Sequence, residues 1–407
     1  MNLAAIRKEF PVYAEYAAQG RPLHYLDSAA TSLKPECVMR AMDCYYRECP
    51  ANVHRATYSM AEEATERYEN TRLAIQRLIN ARQVHEILFT HGTTEALNLV
   101  AHSWAAAHMR PGERILLTEM EHHSNLIPWR LLARERQLNI SYAPLNNDGS
   151  LHLEAFATLL TPDVKLCSFT LMSNVLGIVN PAQDLIRLAR ERGIRVCLDA
   201  AQAIAHIPVD VQSLDCDFLA FSGHKMFAPT GTGVLYVREK HLEQMTPFLG
   251  GGDMISSVTL EKETWAEPPY KFEAGTPDVA GIIGLGAAVD FMQQLDWKER
   301  QAQEQALTIE LETGLKTIKG LRILADGHDH HGLVSFTIDG VHPHDVAHFA
   351  DQAGVSLRAG YLCAQPLIQR LGLTAVCRAS LSVYNNSDDI SALIEALSNA
   401  TRFFHGC

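Results

Sequence analysis

IRVCLDAAQA, residues Ile194–Ala203, followed by SGHKMFAPTGTGVLY, residues Ser222–Tyr236, decides how this chain is read. An apolar run ends on Asp199, and 26 residues later (225 − 199) Lys225 stands directly after Ser-Gly-His, ahead of Pro229 and Gly231. Most lysines are solvated surface charges, and the Gly- and Pro-containing setting sets this one apart. An amine there can form an imine with an aldehyde cofactor. A carboxylate at the end of a buried strand can keep a ring nitrogen protonated. The two together point to pyridoxal 5'-phosphate.

Outward from this pair, short apolar runs alternate with helical patterns from about Leu26 to Tyr236. RILLTEM (Arg114–Met120), VKLCSFTLM (Val164–Met172), IRVCLDA (Ile194–Ala200) and DFLAFS (Asp217–Ser222) read as strands. AQDLIRLARERG (Ala182–Gly193) reads as a helix closed by a C-cap glycine. This alternation predicts an α/β fold with a mainly parallel sheet covered by helices on both faces. Ligands in such sheets gather beyond the carboxyl ends of the strands. Asp199, Asn174, His122 and Ser222 all fall at or just past such ends. After about residue 290 a charged helix pattern, DWKERQAQEQALTIELETGLKTI, leads to LVSFTIDG, an amphipathic stretch, CRASLSVYN and a final helix. That texture predicts a smaller α+β domain. The expected division is 22–290 for the large domain, with 1–21 and 291–407 forming the small one.

The chain has 407 residues, 47% hydrophobic and 20% charged, with a formal net charge of −12. Such a chain is globular and long enough for two domains. Its acidity argues against broad nucleic-acid or anionic-membrane binding. The N-terminal stretch MNLAAIRKEFPVYAEYAAQG carries charges through its apolar residues, unlike a secretory signal, and no apolar run reaches the ~18 residues of a membrane span. A cytoplasmic protein is expected. The nine cysteines form no C-x-x-C pair, so neither a structural zinc site nor a thioredoxin-type motif is indicated, and most should be buried, unreactive thiols.

Four further segments hold candidate chemistry. HGTTEALNLVAHSW, from His91, opens a helical pattern after EILF, so Gly92, Thr93 and Thr94 would present a helix N-terminus to a phosphate. Ordinary threonine capping is the alternative, but Ser222 and His224 supply further donors beside Lys225. TEMEHHSNLIPW places His122 and His123 after a strand; one could stack on a cofactor ring and shuttle protons, or both could be structural. DGHDHHG (Asp326–Gly332) is turn-rich and reads as a solvated loop rather than a metal site. RAGYLCAQP (Arg358–Pro366) sets Cys363 in a Gly- and Pro-containing loop near basic groups, where a thiol can act as nucleophile. Arg358 and Arg378 are candidates for a bidentate grip on a substrate carboxylate, or for an ordinary ion pair.

Taken together, YLDSAATSLKP, NVHRATYSMAEEAT, HGTTEALNLVA, EHHSNLIPW, MSNVLG, DAAQA, SGHKMFAPTGTGVLY, LGGGDMI, FEAGTPDVAGIIGL, RAGYLCAQP and CRASLSVYN resemble the class V aminotransferase family. They are most similar to its group II cysteine desulfurases, which include the SufS-type enzymes and cysteine sulfinate desulfinases. The resemblance spans roughly Tyr25 to Asn385. It implies a pyridoxal-phosphate-dependent transferase of fold type I, with a seven-stranded sheet in the large domain.

It further implies that Lys225 is the Schiff-base lysine, Asp199 the pyridinium partner, Gln202 the partner of the phenolic oxygen and His122 the stacking ring. Thr93, Thr94, Ser222 and His224 would hold the phosphate, joined by Thr276 from a second subunit of a homodimer. Asn174 and Arg378 would hold the substrate carboxylate, with His54, Arg55 and Arg358 lining the pocket. Cys363 would take sulfur from L-cysteine as a persulfide and pass it to a small acceptor of the SufE or CsdE type, for iron–sulfur clusters or thio-modified products. Cysteine sulfinate and selenocysteine are alternative substrates, and the alternative functions are a selenocysteine lyase, another class V activity such as a true aminotransferase, or a non-enzymatic scaffold that holds pyridoxal phosphate. The short cysteine loop has the group II length. One departure stands out: the family usually has histidine before this cysteine, and here Leu362 stands there, removing a local proton donor.

Overall fold

The computed structural model describes residues 3–406; Met1, Asn2 and Cys407, which the sequence reading included, lie outside the described residues. The large sheet is built from β1 (Ile87–Thr90), β2 (Arg114–Thr118), β3 (Asn139–Ala143), β4 (Val164–Thr170), β5 (Arg195–Asp199), β6 (Phe218–Ser222) and β7 (Gly233–Val237). Its seven strands run in the order β1-β7-β6-β5-β4-β2-β3. β3, β2, β4, β5 and β6 pair in parallel, and β7 runs antiparallel to both β6 and β1. Both faces are covered, which is why these strands read as near-continuous apolar runs. In β6, Leu219 and Phe221 enter the core on one face, while Phe218 and Ala220 enter the core on the other.

The helix expected after β1 begins at Thr93 and continues through a π-helical stretch, Val100–Ala105, to His108. Its start is pressed against β7. A Cβ on Gly233 would come within 2.4 Å of the Gly92 Cα, and Gly92 itself has φ of 147°. Only glycine at both positions lets this corner form.

The small sheet comprises β8 (Leu321–Ile323), β9 (Leu333–Ile338), β10 (Arg358–Gly360) and β11 (Val376–Ser380), all antiparallel in the order β8-β9-β11-β10. Helices Trp297–Lys316, Pro343–Gln352 and Ser387–His405 flank it, and Leu311, Phe336, Leu393 and Leu397 sit in its separate core. His24–Tyr25 pairs in parallel with Val355–Ser356, and Asp27 bridges to Ser380. This segment is therefore attached to the small sheet, although the sequence reading grouped it with residues 22–290.

The loop after β4 is stitched to the small sheet. Ser335 Oγ donates to Val175 O at 2.5 Å, and His331 N–H donates to Gly177 O at 3.0 Å. Gly177 has φ of 69°, and a Cβ there would lie 2.4 Å from Leu333 O, so glycine is required at this contact too. The solvated-loop expectation for DGHDHHG is corrected for His330. Its side chain is fully buried, with Nδ1 bonded to Glu312 Oε1 at 2.7 Å and Nε2 to Leu324 O at 3.1 Å. A carboxylate from a distant helix and a backbone carbonyl satisfy the ring inside the fold, which no local pattern announces.

Candidate active site

A cavity of about 860 Å³ opens beyond the carboxyl ends of β4, β5 and β6, where the sheet meets the small domain. Its lining brings together Lys225, Asp199, Gln202, His122, Asn174 and Cys363. Thr93, Thr94, Ser222, His224, Arg358 and Arg378 line it as well. Strand direction explains the clustering: Asp199 and Ser222 are the last residues of β5 and β6, and His122 and Asn174 follow β2 and β4 by a few residues.

The electrostatics are those of a dry site. Burial lowers the Lys225 amine to about 8, against an opposing pull from Asp199. Such a lysine holds an appreciable fraction of nucleophilic free amine near neutrality. Burial raises Asp199 above the usual carboxylate range, with the Ala201 N–H (2.9 Å) and Lys225 working against that shift. A cationic ring N–H placed beside it would favour the charged form. Burial, then Lys225, holds His122 down at about 3, so its ring is neutral. His122 Nδ1 accepts from Ser124 N–H at 3.1 Å, which puts the proton on Nε2. His224 is lowered to about 4, again by burial first.

The hydroxyl cluster at the start of the helix from Thr93 is preassembled. Ser222 Oγ accepts from Thr93 N–H at 2.8 Å and lies 2.7 Å from Thr93 Oγ1, while Thr94 Oγ1 lies 2.7 Å from Ser124 Oγ. Gln202 Nε2 spends one hydrogen on Ala29 O at 2.9 Å and keeps its second. A primary amine, a buried carboxylate, a neutral ring face, an amide and a set of hydroxyls at a helix start form a donor set that fits pyridoxal phosphate.

Beside this set is an anion grip. Arg358 and Arg378 face each other across β10 and β11. Like charges so placed repel. Asp27, which the sequence reading passed over, offsets part of this: its Oδ2 pairs with Arg358 at 3.1 Å and its Oδ1 with Arg378 at 3.2 Å. Two guanidiniums against one carboxylate leave one positive charge. Arg378 is buried, lowered to about 10 by desolvation, and still cationic at neutral pH. Its Nη1 donates to Asn174 O at 2.9 Å, but its buried Nε has no partner. An unsatisfied donor of this kind is costly unless a ligand meets it. Arg378→Lys is expected to raise KM for an amino-acid substrate about 10- to 100-fold, the scale of a lost charge-assisted hydrogen bond. Steady-state kinetics, with the cofactor's absorption as a control, checks this.

Cys363 is exposed, whereas burial pushes up the thiols of Cys167, Cys197, Cys216 and Cys377. Leu362 and Cys363 have φ of 52° and 53°. Two consecutive left-handed residues cost about 1–2 kcal/mol each. Burial of Leu362 and Ala364 on either side contributes to offsetting this. So do hydrogen bonds: Asn174 Nδ2 donates to Leu362 O at 2.7 Å, and His123 N–H donates to Cys363 O at 2.7 Å. Asn174, expected on the substrate carboxylate, thus also ties down the cysteine loop.

His54 and Arg55 do not line this cavity within the single chain. His54 Nε2 bonds Glu69 Oε1 at 2.9 Å, and Arg55 is ion-paired with Asp253. Thr276 is exposed outside the cavity, next to Gly275, whose N–H donates to Gly252 O at 2.9 Å. Besides Asp27, sequence reasoning missed Glu121. This buried carboxyl accepts from Thr118 Oγ1, Thr170 N–H and Asn125 Nδ2, and burial pushes it up to about 8. An acidic residue directly before His122 was its only signal. Among the described residues no His, Cys, Asp and Glu group could hold a metal.

A family model described as aminotransferase class-V matches residues 24–393. The chain belongs to the class V aminotransferase family. Within the class V aminotransferases, it is 45% identical over 392 residues to a probable cysteine desulfurase of Xylella fastidiosa, covering 96% of this chain and 94% of the relative. It is 43% identical over 398 residues to a cysteine desulfurase of Salmonella gallinarum, covering 98% of each. The fold superposes on the crystal structure of the cysteine desulfurase CsdA from Escherichia coli with a TM-score of 0.93 at 38% identity, over 99% of both chains. A cysteine desulfurase from Thermococcus onnurineus gives 0.92 at 35% identity, over 98% of both. The class V architecture expected from the sequence, an α/β fold of type I, is the one observed.

Proposed function

We propose that this chain is a pyridoxal-phosphate-dependent cysteine desulfurase that converts L-cysteine to L-alanine and leaves the sulfur on Cys363. The observation that carries the reading is one cavity lined by Lys225, Asp199, Arg378 and Cys363 together. When bound, pyridoxal phosphate supplies an electron sink for the bond-breaking at the substrate's Cα. Asp199 keeps the ring nitrogen's proton in place, and Gln202, His122 and the Thr93, Thr94, Ser222 and His224 set orient the group. Arg378 and Arg358 hold the carboxylate with help from Asn174. Lys225 Nζ is the base that takes the Cα proton. Cys363 Sγ then attacks the substrate sulfur: the S–S bond forms as the C–S bond breaks, that electron pair stays on carbon, and protonation gives alanine.

Cysteine sulfinate and selenocysteine carry better leaving groups and need no attack by Cys363. Leu362, buried and unable to donate a proton, favours keeping them as alternative substrates. We place the active form as a homodimer, in which a second copy brings Thr276, His54 and Arg55 to the cavity. Their position outside the single-chain site supports this. A small SufE- or CsdE-type acceptor would take the persulfide sulfur onward to iron–sulfur clusters or thio-cofactors. No described helix is long and apolar enough to cross a membrane, and a cytoplasmic location fits the free cysteines. The test is product analysis with L-cysteine, its sulfinate and selenocysteine. Alanine from L-cysteine with a 32-dalton gain on Cys363, about one sulfur atom, is expected; no alanine from L-cysteine would refute the reading.

A further inference from the structure

The loop that presents Cys363 is held by a side chain with no part in the reaction as described. Gln365 N–H donates to His123 Nε2 at 3.0 Å, while the backbone N–H of the same histidine donates to Cys363 O at 2.7 Å. One residue therefore grips the chain at the cysteine and two residues beyond it, across 242 positions of sequence. Because Nε2 accepts, the ring proton sits on Nδ1 and the imidazole is neutral. Burial lowers His123 below the ordinary imidazole range, which keeps it an acceptor at neutral pH. The apolar flanks Leu362 and Ala364 are buried and fix where the loop lies. They do not fix the direction of the thiol, since apolar burial is non-directional. Directional bonds must do that, and with leucine at 362 the neighbouring side chain supplies none.

We propose that His123 is a positioning residue for Cys363, aiming its thiol at the substrate sulfur by holding Gln365 N–H. This rests on Cys363 as the sulfur acceptor. It gives different roles to two adjacent histidines that both line the cavity: His122 faces the cofactor donor set, and His123 serves the sulfur-transfer loop.

The test uses the holoenzyme with His123→Ala and His123→Gln, whose Oε1 can reach the place of Nε2. For His123→Ala we expect kcat for alanine from L-cysteine to fall at least tenfold with KM changed less than threefold. Turnover of cysteine sulfinate and the cofactor's visible absorption should stay within twofold of the parent. His123→Gln should recover most of the cysteine turnover. In the cofactor-free protein, alkylation of Cys363 by iodoacetamide, followed by peptide mass spectrometry, should be at least threefold faster in His123→Ala. Unchanged cysteine turnover, a parallel loss with sulfinate, or a glutamine variant as impaired as alanine would each overturn the proposal. If Cys363→Ala itself keeps full cysteine turnover, the acceptor reading falls instead, and the alkylation rate alone decides the clamp: equal rates in parent and His123→Ala overturn it.

Discussion

Lys225→Ala is expected to yield a protein without the visible absorption band of a lysine-bound cofactor, and with cysteine turnover reduced by about 10²–10⁴-fold or more, the range for losing a general base alone. The site surrounding this amine shows why no neighbour can replace it. Lys34, a half-buried amine nearby, donates to Ser32 O at 2.5 Å and to His224 O at 3.0 Å, and so is committed to the backbone. Lys225 lines the cavity and is lowered to about 8, so about a tenth of it is free amine at pH 7. The free amine is the attacking form, so cofactor capture by the apoprotein should quicken from pH 7 to 9 and then level off. Absorbance-followed reconstitution measures both. A Lys225→Ala protein that keeps the band would remove Lys225 as the point of attachment.

Cys363→Ala carries the second large effect. Alanine formation from L-cysteine should drop by at least ~10²-fold, since removing a covalent nucleophile costs other enzymes considerably more. Turnover of cysteine sulfinate should remain near that of the parent. This contrast separates the thiol's chemistry from damage to the cofactor site, because both substrates share Lys225, Asp199 and Arg378. Undiminished alanine from L-cysteine would end the persulfide role.

Much of this site was legible in the sequence because its residues sit at strand ends within local patterns. IRVCLDA and DFLAFS announced buried strands, and Asp199 and Ser222 terminate them as expected. The small domain's elements were equally readable from LVSFTIDG and CRASLSVYN. The illegible parts depend on tertiary proximity. Asp27 meets Arg378 across 351 residues of chain, and nothing near YLD marks it as the counter-ion of two facing arginines. His330 looked solvated in a polar, turn-rich stretch, because its partners Glu312 and Leu324 lie outside that stretch. The π-helical stretch from Val100 leaves no trace in a 3.6-residue period. His54, Arg55 and Thr276 came only from the family resemblance, and the single chain keeps them outside the cavity.

The stitching of Ser173–Gly177 to the small sheet constrains how this protein can move and be re-engineered. Ser335, His331 and Arg378 all hold that loop, and the loop in turn holds Leu362. The two lobes are thus fastened to one another at the reaction centre itself. A chimera that borrows a relative's C-terminal lobe is expected to keep its catalytic alignment only if residues 173–177 travel with it.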